Sequence, residues 1–140
     1  MAPDSAFLGP ADEVVRLLLI EDNPEIAQMY QLKLALDGYS VELAEDGETA
    51  LRMAIENPPD LVFLDIRLPG MGGFEVLEVL RATDVTRSLP VVILSAYDEP
   101  ELRKLGIELG ALDYLIKSQT TPGDVSSRVS GWLGSPNPEE

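Results

Sequence analysis

Short apolar runs alternate with amphipathic stretches along this chain, and each run ends in a polar group. Leu17-Leu18-Leu19-Ile20 ends in Glu21-Asp22, Leu61-Val62-Phe63-Leu64 in Asp65, Val91-Val92-Ile93-Leu94 in Ser95, and Tyr114-Leu115-Ile116 in Lys117. Continuous apolar runs of this length suit strands covered on both faces, as in parallel sheets flanked by helices. The pattern predicts five βα units, with strands near Val15 to Ile20, Tyr39 to Leu43, Leu61 to Leu64, Val91 to Leu94 and Tyr114 to Ile116.

The intervening segments carry helix signals. Asn23-Pro24-Glu25 supplies a cap, a proline at the first position and an acid in the first turn. In the helix that follows, Ile26, Met29, Leu32 and Leu36 fall on one stripe at about 100° per residue, which predicts that these four are buried. Further helices are expected near Glu48 to Ile55, stopped by Pro58-Pro59, near Phe74 to Leu80, over Glu101 to Leu109, and over Asp124 to Leu133 with Val125, Val129 and Trp132 facing inward. Ala82 to Ser88 reads as a polar loop. Met1 to Glu13 and residues 134–140, rich in Pro, Gly and small or acidic residues, read as flexible extensions around a domain over 14–133.

Crossover connections in parallel sheets are right-handed, so the C-terminal ends of all strands lie on one rim, where open α/β folds place their sites. Glu21, Asp22, Asp65, Ser95 and Lys117 are thereby candidates for a single site. Each has an ordinary reading when taken singly: a solvated loop acid, a helix cap, a surface lysine. Their coincidence at four strand ends outweighs those readings. Tyr114 reads either as a β-favouring core residue or as a mobile one.

Composition narrows the function. With 140 residues there is room for one domain and a sizeable core. The formal charge of −15 disfavours nucleic acid and anionic membranes as direct partners. Cysteine is absent, no stretch approaches a membrane span, and the start lacks the features of a secretory signal, so a cytoplasmic protein is expected. Histidine is absent as well, which excludes histidine-based acid–base and Ser-His-Asp mechanisms for this chain.

Three carboxylates in one small site repel one another unless a cation intervenes. Mg²⁺ suits them, because it takes oxygen ligands and keeps several waters. Glu21, Asp22, Asp65 and Lys117 sum to a formal charge of −2, which one Mg²⁺ brings to zero. Asp65 can then serve as a carboxylate nucleophile toward a phosphoryl group, with Lys117 and Ser95 neutralising the transferring oxygens.

These residues, in this order, resemble the receiver domain of two-component response regulators over about Val15 to Leu133. Leu19-Ile20-Glu21-Asp22-Asn23 is similar to the family's acidic pair, Leu64-Asp65-Ile66-Arg67-Leu68-Pro69 to its phosphoacceptor motif, Leu94-Ser95-Ala96 to its switch hydroxyl, and Gly110 to Lys117 to its aromatic switch and lysine. The resemblance implies a doubly wound, flavodoxin-like five-stranded parallel sheet of order 2-1-3-4-5. It implies that Asp65 is phosphorylated by a histidine kinase or phosphotransfer protein. Asp22, Asp65 and the Arg67 backbone carbonyl would ligate Mg²⁺, and Glu21 would act through a water. Ser95, Lys117 and Tyr114 would form the switch, read by a protein partner at the face of the fourth helix, fifth strand and fifth helix. The implied domain is a stand-alone signalling module rather than an enzyme, limited to Mg²⁺-dependent self-phosphorylation and slow self-dephosphorylation.

Two positions depart from the family pattern. Gly72 stands where an acid is frequent, and Ser118 where proline usually follows the lysine through a cis bond. A cis non-proline peptide costs about 2.5–4 kcal/mol, so a trans Lys117–Ser118 bond with a reshaped loop to Thr121 is expected, Lys117 still near Asp65. A phosphatase with an aspartyl nucleophile is the rival from the enzyme class, but Arg67 does not supply the acid it would need beside Asp65. A flavin module of similar topology is a second rival, and it lacks a Ser/Thr/Gly-rich cradle after the first strand.

Overall fold

Strand residues point alternately to opposite faces, and where both faces are covered both sets must be apolar. The computed structural model describes residues 14–134 and shows this arrangement. Its elements are β1 (Arg16–Ile20), α1 (Pro24–Leu36), β2 (Ser40–Ala44), α2 (Gly47–Glu56), β3 (Leu61–Leu64), α3 (Gly73–Ala82), β4 (Val91–Ser95), α4 (Pro100–Glu108), β5 (Asp113–Ile116) and α5 (Pro122–Gly134). All neighbouring strands pair in parallel, in the order β2-β1-β3-β4-β5.

Alternation divides the core in two. Leu17, Leu19, Leu61, Phe63, Val92 and Leu94 face α1 and α5, where Phe63 meets Trp132 edge to face at 5.7 Å. Leu18, Ile20, Val62, Leu64 and Ile93 face the opposite layer with Val76, Leu77 and Tyr114. Val125, Val129 and Trp132 are buried as their spacing predicts.

The stripe expected on α1 is corrected. Ala27, Tyr30 and Leu34 are its buried residues, with Ile26 packed beside them, while Met29, Leu32 and Leu36 are 49, 62 and 74% exposed. This helix has apolar residues on two faces, so spacing alone offers two stripes, and the smaller Ala27 with the polar-tipped Tyr30 marks the face that fits the sheet. The segment Ala82 to Ser88 is not wholly a solvated loop either. Asp84–Thr86 form a 3₁₀ turn, and the fully buried Thr86 donates its hydroxyl to the Leu80 carbonyl at 2.7 Å, satisfying the end of α3. The expected extension over 1–13 and the tail beyond Gly134 lie outside the described residues, and Gly134 itself closes α5. No helix among the described residues is long and apolar enough to cross a membrane.

Candidate functional site

The central strands β1 and β3 pair with Ile20 opposite Leu64, so the residues that follow, Glu21 and Asp65, emerge side by side. Both backbones stay in the ladder: the Asp65 amide donates to the Ile20 carbonyl at 3.1 Å, and the Glu21 amide to the Ala44 carbonyl at 3.0 Å. Their position is therefore fixed by the sheet rather than by loop chemistry. Asp22 follows in the exposed turn before α1, and one carboxylate oxygen from each of Glu21, Asp22 and Asp65 lies within 4.8 Å of the others.

Behind Asp65 the chain turns into α3 at a place only glycine can occupy. The Gly73 amide donates to the Ile66 carbonyl at 2.7 Å, and a Cβ at residue 73 would come within 2.2 Å of the Asp65 carbonyl oxygen. The Arg67 amide lies 3.4 Å from Asp65 Oδ1, so this backbone borders the carboxylate.

Lys117 reaches the acids from β5 across the end of β4. Its Nζ lies 2.6 Å from Glu21 Oε1 and 3.1 Å from Asp65 Oδ2. Glu21 Oε2 also accepts the Asn23 amide at 3.1 Å. Burial raises both the Glu21 and the Asp65 carboxyl above their ordinary ranges, with Lys117 opposing the shift in each. Burial acts against the charge on Lys117, and the Glu21 hydrogen bond together with the charge of Asp65 outweighs it, so the ammonium is held above its usual range. Two buried acids thus share one cation, the state in which a further cation is favoured.

The Lys117–Ser118 bond is trans, and Lys117–Gln119 form a 3₁₀ turn, the reshaped loop expected where serine replaces proline. Ser95 ends β4 fully buried, and its Oγ accepts the Tyr97 amide at 2.9 Å. Tyr114 is also buried, and its hydroxyl donates to the Tyr97 carbonyl at 2.8 Å. Burial raises the Tyr114 phenol above its ordinary range, against Ser95 and Arg103. The ring lies under the Arg103 guanidinium at 5.1 Å. Tyr114 therefore occupies an inward position in the core layer, adjoining the site through Tyr97 and Ser95.

The mouth is an open cleft of about 780 Å³, bordered by the first turn of α1 on one side and by Arg67 and Tyr97 on the other. Arg67 stacks over the Tyr97 ring at 5.7 Å. Rim position and residue type locate Glu21, Asp22, Asp65 and Lys117 from sequence; the roles of the Asn23 amide and the Tyr97 backbone need the fold, because main-chain groups leave no mark in the residue pattern.

The chain is similar to known proteins. Residues 17–129 match the family model of the response regulator receiver domain. Response regulator MprA of Mycobacterium sp. strain KMS is 36% identical over 126 residues, covering 90% of this chain and 54% of that protein. The alkaline phosphatase synthesis transcriptional regulatory protein PhoP of Bacillus subtilis is 39% identical over 118 residues, covering 84% and 48%. The chain thus spans about half the length of these curated relatives. Among solved structures, a putative response regulator from Chloroflexus aurantiacus superposes with a TM-score of 0.81 at 34% identity, covering 87% of this chain and 99% of that one. Vibrio cholerae chemotaxis protein CheY4 gives 0.80 at 29%, covering 86% and 100%. A five-stranded sheet of this order, with its acids, hydroxyl and lysine on one rim and a family match over most of its length, makes this chain a member of the response regulator receiver domain family.

Proposed function

We propose that this chain is a cytoplasmic phosphoacceptor module in which Asp65 takes a phosphoryl group from the phosphohistidine of a kinase or phosphotransfer protein. The observation that carries this is the Asp65 carboxylate, 6% exposed, held 3.1 Å from Lys117 within the trio of acids. An Asp65 carboxylate oxygen attacks phosphorus, the P–N bond breaks, and the imidazole leaves with the electron pair; the product is an aspartyl phosphate. Lys117 and the Ser95 hydroxyl are assigned to the phosphoryl oxygens.

The donor set fits Mg²⁺: three carboxylates gathered within 4.8 Å, two of them buried, facing one lysine. Glu21, Asp22, Asp65 and the Arg67 carbonyl are the groups assigned to hold it. When bound, the ion supplies positive charge against the phosphoryl oxygens.

The module signals rather than turning over a substrate: the chain has no histidine, and Glu21 and Lys117, the titratable groups packed with Asp65, are paired with each other at 2.6 Å and assigned to the ion and the phosphoryl oxygens. Its output is a change of protein contact at the face of α4, β5 and α5, read in cis or in trans. The net charge of −15 argues against nucleic acid as a ligand of this domain itself. Intact mass after incubation with acetyl phosphate decides the central claim: wild type gains one phosphoryl group with Mg²⁺ and none in excess EDTA, and Asp65→Asn gains none. Equal labelling of both proteins, or full labelling in EDTA, would refute it.

A further inference from the structure

We propose that Tyr30 is a positioning residue for Lys117: its hydroxyl, donated to the Thr120 carbonyl at 3.2 Å, holds the turn that presents the ammonium to Glu21 and Asp65. The turn is otherwise weakly held. Lys117–Gln119 make one 3₁₀ turn closed by the Thr120 amide on the Lys117 carbonyl at 3.3 Å, and the side chains of Ser118 and Gln119 are exposed. From Thr121 onward the start of α5 fixes itself, because the Thr121 and Asp124 side chains cap each other's amides at 3.0 Å. Among the described residues, the Tyr30 hydroxyl is the one side-chain donor or acceptor that reaches residues 118–120 from another element.

Tyr30 is built for this task. It is 2% exposed, one helical step from Ala27 and Leu34 on the buried face of α1, so its ring cannot follow the solvent. Burial, and then the charges of Glu21 and Asp124, raise the phenol above its ordinary range and keep the donor proton in place. The same helix begins at Asn23, whose amide donates to Glu21. One rigid helix thus grips both ends of the 2.6 Å Lys117–Glu21 pair, the acid through its cap and the lysine through Tyr30. Lysine's flexible four-carbon stem makes the placement of its ammonium depend on the backbone that carries it.

This inference rests on the phosphoacceptor reading for its consequence, and Tyr30→Phe tests it in two ways, since the ring stays in the core and only the hydroxyl is lost. In EDTA, reductive methylation followed by peptide mass reads the reactivity of Lys117 against Lys33 and Lys104, the other lysines of the chain. Lys117 should react about three- to tenfold faster in Tyr30→Phe, the size of one hydrogen bond's net worth, with the other two unchanged. With Mg²⁺ and acetyl phosphate, Tyr30→Phe should slow labelling of Asp65 by a similar factor, and should add nothing in a Lys117→Met background. Unchanged Lys117 reactivity in Tyr30→Phe overturns the proposal, as does an equal slowing with and without Lys117, which would mark a general structural effect. Failure of wild type to be labelled counts against the phosphoacceptor reading alone, because the methylation result still decides the tether.

Discussion

The Tyr114 ring fills a notch left by Gly106: a Cβ on residue 106 would stand 3.3 Å from Tyr114 Cδ2 and 2.6 Å from Ile93 Cδ1. A glycine inside α4 costs about 1 kcal/mol against alanine in intrinsic helix propensity. Its place in the fold is explained by the buried side chains it admits, first Ile93 from β4 and then the Tyr114 ring from β5.

Gly106→Ala should therefore destabilise the domain despite the better helix former. Overpacking costs about 1–3 kcal/mol, which exceeds the propensity gain at most of that range. Urea unfolding reads the loss, and the Tyr114 ring signals should shift in the variant as the ring is pushed from its inward position. A variant more stable than wild type with unchanged ring signals would show that the notch is not what keeps the ring inside.

The sheet and the rim were legible because each rests on a local cue: a continuous apolar run, then a polar group at its end. Once right-handed crossovers are granted, Glu21, Asp65, Ser95 and Lys117 must share an edge. The buried face of α1 was not legible, since Met29, Leu32 and Leu36 are as well spaced as Ala27, Tyr30 and Leu34. Which set faces the sheet depends on shape at the layer between α1, α5 and the strands, a tertiary property. Thr86 and Tyr30 were hidden for a related reason: a hydroxyl's partner is a backbone carbonyl whose position only the fold determines.

The corrected face of α1 makes a direct contrast in stability. Leu32→Gln, on the exposed side, should change unfolding free energy by no more than about 0.5 kcal/mol. Leu34→Ala, two residues on and fully buried, should cost about 2–5 kcal/mol. Equal losses in chemical denaturation would reinstate the original stripe.

Burial of Glu21 and Asp65 also sets a pH dependence in the metal-free protein. Both carboxyls are raised in the folded state from ordinary values of 4.5 and 3.8. A raised acid contributes stability that is full below its unfolded value and is lost as pH climbs toward its folded value, because ionisation is then harder in the fold than in the open chain. Lys117, raised from 10.5, holds its contribution through neutral pH and loses it only in the alkaline range. Asp65→Asn cannot ionise and escapes the loss at residue 65. In EDTA its thermal midpoint should exceed that of wild type at pH 7, the gap closing toward pH 4, and Mg²⁺ should narrow the gap by stabilising wild type alone. A gap that widens on acidification would contradict the assigned direction.

If Asp65 is phosphorylated as proposed, the chain of contacts Ser95–Tyr97–Tyr114 would give the signal a route to the surface. Ser95 Oγ accepts the Tyr97 amide, and the Tyr97 carbonyl accepts the Tyr114 hydroxyl, so the same residue is held from both sides. A Ser95 hydroxyl that turns toward a phosphoryl group on Asp65 gives up the Tyr97 amide and loosens the carbonyl that anchors the ring. The ring would then keep its pocket beside Gly106 and the Arg103 guanidinium stacked on it, but not its hydroxyl anchor. Arg103 is anchored on the Tyr114 main-chain carbonyl at 3.0 Å and stacks on the ring at 5.1 Å, so movement of the ring would reach α4 through the stacked guanidinium, toward the exposed Leu105 and Ile107 of the outer face. Serine carries no methyl, so the space vacated at residue 95 is small and Tyr97 must carry most of the displacement. Beryllofluoride with Mg²⁺, a phosphoryl mimic, should shift the Tyr114 ring signals together with the amides of Tyr97, Arg103 and Leu105, and Ser95→Ala should shift the Tyr97 amide without the mimic while blunting the response to it. Full occupancy of Asp65 by the mimic with these signals unmoved would show that the output leaves the site by another path.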